Sequence, residues 1–173
     1  MISGKIRSRL GDSMSEASGN LHDTSGPIVR PPIAMALAVV AGLVLQWLYP
    51  LPFLPAAMPA GWVGGLVFLA GLALLIFAAS TFRRAGTAVP TSVPTTSIVS
   101  DGPYRYSRNP IYVAMFIGLV GVSIGFDSLW HLILLVPFYL VIRHGVVARE
   151  EIYLARKFGD AYLGYKQSVR RWL

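Results

Sequence analysis

Two short stretches of this chain gather groups that bind small charged ligands. The first is Gly102-Pro103-Tyr104-Arg105-Tyr106-Ser107-Arg108-Asn109-Pro110-Ile111-Tyr112. Arg105 and Arg108 can each fork onto a carboxylate. Asn109 offers a donor and an acceptor, and Tyr104, Tyr106 and Tyr112 can stack on a flat ring and hydrogen-bond. Pro110 suits the first turn of a helix with Asn109 as its N-cap, and the amides of such a helix start suit an anionic group. The second stretch is Glu150-Glu151, an acidic pair in a tail otherwise rich in Lys and Arg. An amino acid moiety carries both an ammonium and a carboxylate. Glu150 or Glu151 suits the former, Arg105 or Arg108 the latter. A plainer reading stands beside this one, with the arginines on lipid phosphate and the glutamates in surface ion pairs of small energetic worth.

The elements that must position these groups follow from where charge is missing. Apolar residues make up 54% of the 173 and charged residues only 13%, against about a quarter charged in soluble domains. No Lys, Arg, Asp or Glu occurs from Pro31 to Phe82, and Asp127 is the only one from Asn109 to Ile142. A membrane-crossing helix needs about 20 apolar residues. The first stretch therefore holds spans near 33–49 and 62–82, separated by Pro50, Pro52, Pro55, Pro59 and Gly61, which forbid a continuous helix. The second holds shorter spans near 111–126 and 129–142 or beyond, meeting at Asp127-Ser128. Trp47, Tyr49, Trp62 and Trp130 fall at span ends, where amphipathic rings settle. Gly64, Gly65, Gly71, Gly118, Gly121 and Gly125 lie inside spans, either to let helices approach closely or because glycine is common in membrane helices. The fold class expected is all-α: a polytopic membrane protein of about four transmembrane helices with a cytoplasmic C-terminal helical tail. Within that tail Gly159 should end one helical piece and Asp160 begin another.

All 15 Lys and Arg residues precede the first span, separate the second from the third, or follow the fourth. The positive-inside rule then places both termini and the middle loop in the cytoplasm. The net charge of +7 is explained by anionic headgroups, so membrane lipids are expected as partners and nucleic acid is not. Residues 1–30 read as a disordered cytoplasmic tail, without the apolar core of a signal peptide. Residues 31–82 form a helical hairpin and 83–173 carry the chemistry. The absence of cysteine excludes thiolate metal sites and a cysteine nucleophile, and nothing in the pattern suggests a metal.

Gly102-Pro103-Tyr104-Arg105 followed by Arg108-Asn109-Pro110-Ile111-Tyr112 resembles the signature of the isoprenylcysteine carboxyl methyltransferase family, membrane-embedded enzymes with bacterial members. So do Glu150-Glu151-x-x-Leu154, Phe158-Gly159-x-x-Tyr162-x-x-Tyr165 and the closing Val169-Arg170-Arg171-Trp172. Arg83-Arg84-Ala85-Gly86-Thr87 with Pro90 and Pro94 is similar to the loop before that signature. The likeness runs from about residue 82 to the C-terminus, with all three pieces in order.

The resemblance implies methyl transfer from S-adenosylmethionine without a Rossmann domain. The cofactor would sit in a cytosol-facing pocket made by the last two spans, the signature loop and the tail, and a lipophilic acceptor, a small molecule or lipid, would enter sideways from the bilayer. Carried over by position, Tyr104, Arg105, Arg108, Asn109, Pro110, Tyr112, Glu150 and Glu151 would bind the cofactor. Glu151 and Arg170 would be catalytic, with Arg170 and Trp172 closing the site or meeting the acceptor. Many members have His where this chain has Asn109, which argues against a general base there. His144 reads as an interface residue. The acceptor is left open among a carboxylate of a prenylated or otherwise lipophilic thioether, a phospholipid amine and a small thiol. A sterol-type reductase with a nicotinamide cofactor and a small four-helix exporter are the other classes. The latter needs a buried ionisable group, and Asp127 lies at a turn. By analogy the membrane is a bacterial inner membrane.

Overall fold

A computed structural model describes residues 26–86 and 95–173. Most of the expected N-terminal tail, and Thr87, Pro90 and Pro94 of the middle loop, lie outside the described residues. The elements are α1 (Pro31–Leu48), α2 (Ala60–Arg84), a 3₁₀ helix (Gly102–Arg105), α3 (Pro110–Gly125), α4 (Leu129–Leu140), a π-helical segment (Val141–Val147), α5 (Ala148–Phe158) and α6 (Asp160–Ser168). Among the described residues there is no strand, only an isolated parallel bridge between Ser107 and Arg170. The chain is thus an all-α polytopic membrane protein.

The expected helix starts are where proline permits them. Pro31 and Pro32 occupy the first positions of α1 and Pro110 the first of α3, sites that need no intrahelical N–H. Three helices are long and apolar enough to cross a bilayer: α1, α2 and a continuous 30-residue rod from Leu129 to Phe158. That rod runs from α4 through the π-helical segment into α5, so the fourth span extends well past its apolar part, residues 129–142. Gly159, at φ +52°, ends it, and α6 begins at once, as its sequence suggests. The 16 residues of α3 reach about 24 Å at 1.5 Å per residue, less than a full hydrocarbon core. It is the inner helix. Tyr112, Val113, Ala114, Met115 and Leu119 are buried, whereas α1 and α2 present Leu37, Val40, Leu66, Leu69 and Ile76 outward, as lipid-facing helices do.

Glycine sets the α2–α3 spacing. A Cβ on Gly121 would lie 2.5 Å from the Phe68 nitrogen, one on Gly64 2.6 Å from the Gly121 carbonyl oxygen, and one on Gly71 2.8 Å from the Gly118 nitrogen. The two backbones are in contact, the close approach small residues allow. Gly65 faces open space and takes no part. On the other side α4 packs on α1, where the Gly42 face receives the buried His131 ring, whose Nε2 lies 3.3 Å from the Val39 carbonyl.

The end of the bundle away from the arginines is tied by Asp127. Its Oδ1 accepts the amides of Phe53 and Leu54, each at 2.9 Å. Gln46 Nε2 donates to its carbonyl at 3.3 Å, and Trp130 Nε1 donates to the Tyr49 carbonyl at 2.7 Å. Asp127 sits at φ +45°, a left-handed conformation that Asp tolerates better than most residues and that these bonds hold. Its role is to fasten the two turns at this end together.

Candidate active site

The other end gathers the sequence motifs. The 3₁₀ helix places Pro103 and Tyr104 inward, with the Tyr104 ring edge-on to Phe82 at 4.8 Å between centroids. The chain then extends through Ser107 to Asn109 and meets the C-terminal segment. Arg108 N–H donates to the Arg170 carbonyl at 2.9 Å. Ser107 Oγ and Asn109 Nδ2 both donate to the Arg171 carbonyl, at 3.4 and 2.9 Å. Asn109 stands at the N-cap position, yet its side chain makes no capping bond. It is turned to the C-terminal segment, while its own N–H donates to Ser107 Oγ at 3.1 Å. The Tyr112 and Val113 amides both turn to the Asn109 carbonyl, so the start of α3 offers less to an anion than the sequence pattern suggests.

Glu151, on α5, is the hub. Its Oε1 accepts Arg108 Nη1 and Arg171 Nε, each at 2.9 Å. Its Oε2 accepts Arg171 Nη2 at 2.8 Å and stands 3.6 Å from Lys166 Nζ. The Glu151 and Arg108 side chains are 10% and 9% exposed, so their contact is nearly dry, while the bidentate partner Arg171 and Lys166 close the cluster on its solvent side. Glu150 is different. It is half-buried, and Tyr112 donates to its Oε1 at 2.9 Å.

Tyrosines wall this region. Tyr162 is buried beside Arg108, and Tyr165 donates its hydroxyl to the Tyr104 carbonyl at 2.8 Å. Burial holds the Tyr104 and Tyr165 hydroxyls well above the ordinary phenol range, so both remain donors. Two buried polar atoms here have no hydrogen-bond partner among the described residues, Tyr104 Oη and Arg108 Nε. Such atoms are rare in native structures and call for an explanation. A ligand acceptor group is one.

Next to this polar region lies an apolar groove of about 390 Å³, lined among others by Val67, Phe116, Val120, Tyr139 and Trp172. Phe116, Tyr139 and Trp172 make mutual ring contacts at 5.7–6.0 Å, and Arg143 Nη1 donates to Tyr139 Oη at 2.8 Å. Arg171 binds Glu151 while the next residue, Trp172, lines the groove. Polar cluster and groove therefore adjoin along the C-terminal segment.

The structure brings Tyr104, Arg108, Asn109, Pro110, Tyr112, Glu150 and Glu151 together. It leaves the side chains of Arg105 and Arg170 exposed and outside the cluster, with Arg170 contributing its carbonyl. His144 is exposed on the π-helical segment. Sequence reasoning passed over Arg171, Ser107 and the inward position of Tyr162. An extended segment turns successive side chains to opposite sides, so one of the paired arginines had to face Glu151. Nothing in the pair itself tells which.

The family profile described as phospholipid methyltransferase matches residues 59–161, more than half the chain and including α2, α3, the signature loop and the glutamate pair. The chain belongs to that family of membrane methyltransferases. Its likeness to an uncharacterized protein of Haemophilus influenzae is 64% identity over 36 residues, 21% of this chain and 57% of that protein. A nickel-cobalt-cadmium resistance protein, NccN, of Alcaligenes xylosoxydans xylosoxydans is 31% identical over 65 residues, 38% of this chain and 30% of that protein. The chain thus spans less than two thirds of either relative. No solved structure matches it significantly.

Proposed function

We propose that this protein transfers a methyl group from S-adenosylmethionine to a lipophilic acceptor seated in the apolar groove. The observation that carries the reading is that adjacency: a site for a charged, aromatic ligand and a site for an apolar chain meet at Arg171-Trp172. The residues present fit the donor. Glu150 offers a carboxylate to its ammonium, the unpartnered Arg108 Nε and Tyr104 Oη offer hydrogen bonds to its carboxylate, and Tyr112, Tyr162 and Tyr165 offer aromatic surface. When bound, the donor supplies an electrophilic methyl carbon on a sulfonium.

The protein's part is alignment and exclusion of water. A carboxylate or thiolate acceptor is already nucleophilic, so the methyl C–S bond breaks as the new bond forms and no proton moves. Positioning supplies most of the catalysis in such a displacement. Opposite charges are neutralised, and the low-dielectric groove favours that. Our first acceptor is the carboxylate of a prenylated or other lipophilic thioether, on the likeness of the signature. A phospholipid amine, with which the family match is compatible, is the second. An amine must lose its proton to water before it attacks, because Glu150 is engaged by the ammonium of the donor.

Methyl-tritiated S-adenosylmethionine, incubated with purified protein and a bacterial lipid extract, should label the organic phase. Base-labile label identifies an ester and base-stable label an amine. Failure of well-folded protein to bind the donor in a calorimetric titration would refute the assignment.

A further inference from the structure

Two adjacent glutamates of one helix stand in different surroundings and differ in the capacity they have left. An ionised carboxylate offers about four acceptor sites. Glu151 has three filled by hydrogen bonds, from Arg108 Nη1 and from Arg171 Nε and Nη2, and the Lys166 ammonium stands 3.6 Å from its Oε2. A ligand ammonium could reach it only by breaking the bidentate Arg171 pair or by displacing Arg108, whose side chain is 9% exposed and would then be a buried charge without a partner. Among the described residues Glu150 has one hydrogen bond, from Tyr112, and its side chain is only partly buried.

We infer that the pair divides its work: Glu150 is the carboxylate that meets the cationic group of the methyl donor, and Glu151 is a positioning residue that clamps the C-terminal segment onto the signature loop. This rests on the methyl-donor reading above. The clamp holds Arg171, hence the Arg171 carbonyl that Ser107 and Asn109 bind, the Arg170 carbonyl that protects the Arg108 amide, and Trp172 against the groove. Through Arg108 it also fixes the unpartnered Nε where a ligand carboxylate can find it. Glu151 therefore acts through other residues and touches no ligand itself.

The test separates contact from clamping. Glu150→Gln and Glu151→Gln are compared in detergent by calorimetric titration with S-adenosylmethionine and by hydrogen exchange of the Arg108 amide. Glu150→Gln should weaken donor binding at least tenfold and leave Arg108 exchange as in the wild type. Glu151→Gln should speed Arg108 exchange at least tenfold and weaken binding as a consequence. Arg171→Gln, a more exposed site, should speed the exchange likewise. Ser107 and Arg170 face each other across the bridge, and the chain has no other cysteine. A Ser107→Cys/Arg170→Cys disulfide should therefore refasten the segment. Added to Glu151→Gln, the oxidised pair should restore affinity relative to its reduced form; added to Glu150→Gln, it should not. Normal donor binding by Glu150→Gln overturns the inference. So does a Glu151→Gln protein that binds poorly while Arg108 exchange is unchanged or the disulfide has closed. If wild-type protein binds no donor, the methyltransferase reading and the Glu150 role fall together, and exchange alone still decides whether Glu151 is a clamp.

Discussion

Glu150→Gln should weaken donor binding at least tenfold, because it removes the carboxylate beside Tyr112 and leaves the Arg108–Glu151 contact in place; calorimetric titration in detergent reads the loss. On the groove side, Val120→Trp places a large ring in the space lined by Phe116 and Trp172. It should cut methyl transfer to a lipophilic acceptor more than tenfold while donor binding persists, because the side chain blocks one substrate and leaves the polar cluster alone. Equal loss of both would argue that the groove is not the acceptor site.

At the scale of elements, the α2–α3 pair depends on absent side chains. Gly121→Ala puts a Cβ against the Phe68 backbone, and backbone cannot move aside as a flexible side chain can. The cost should be about 1–3 kcal/mol, the range for overpacking. Gly65→Ala meets nothing within 4 Å and should be neutral or stabilising by up to about 1 kcal/mol from helix propensity. Thermal unfolding in detergent checks the contrast. At the far end, Asp127→Ala removes both amide bonds to Phe53 and Leu54 and leaves Ala at a positive φ. A loss of about 2–3 kcal/mol is expected for bonds to a charged group. Asp127→Asn, which keeps an acceptor oxygen and tolerates the backbone, should cost far less.

For the whole molecule, the antiparallel helices bring Arg30, Arg83, Arg84, Arg105, Arg108, Arg143 and the C-terminal helices to one end and the Asp127 turns to the other. The basic end, with the candidate site, should face the cytoplasm under the positive-inside rule. Because the chain lacks cysteine, single cysteines report cleanly. At the exposed positions Ala57 and Ala161, an impermeant maleimide applied to intact spheroplasts should label Ala57→Cys and reach Ala161→Cys only after permeabilisation. The reverse pattern would invert the topology.

The four apolar segments, the proline-rich turn, the break at Gly159 and the clustering of positive charge could all be read from the chain. They depend on local properties: the absence of charge over a helix length, the missing amide of proline, the conformational freedom of glycine. The signature stretches likewise marked where the chemistry lies, since their residue types are costly to gather by chance at one membrane end. What the chain could not disclose is which neighbour each group meets. Arg171 and not Arg170 reaches Glu151 because the tail docks as an extended segment in one register. Asn109 binds that tail instead of capping α3. Of two adjacent glutamates, one is held by two arginines and the other meets a tyrosine. Those outcomes are set by the packing of residues about 20 to 60 positions apart, where a rotation of one residue exchanges a buried ion pair for an exposed one.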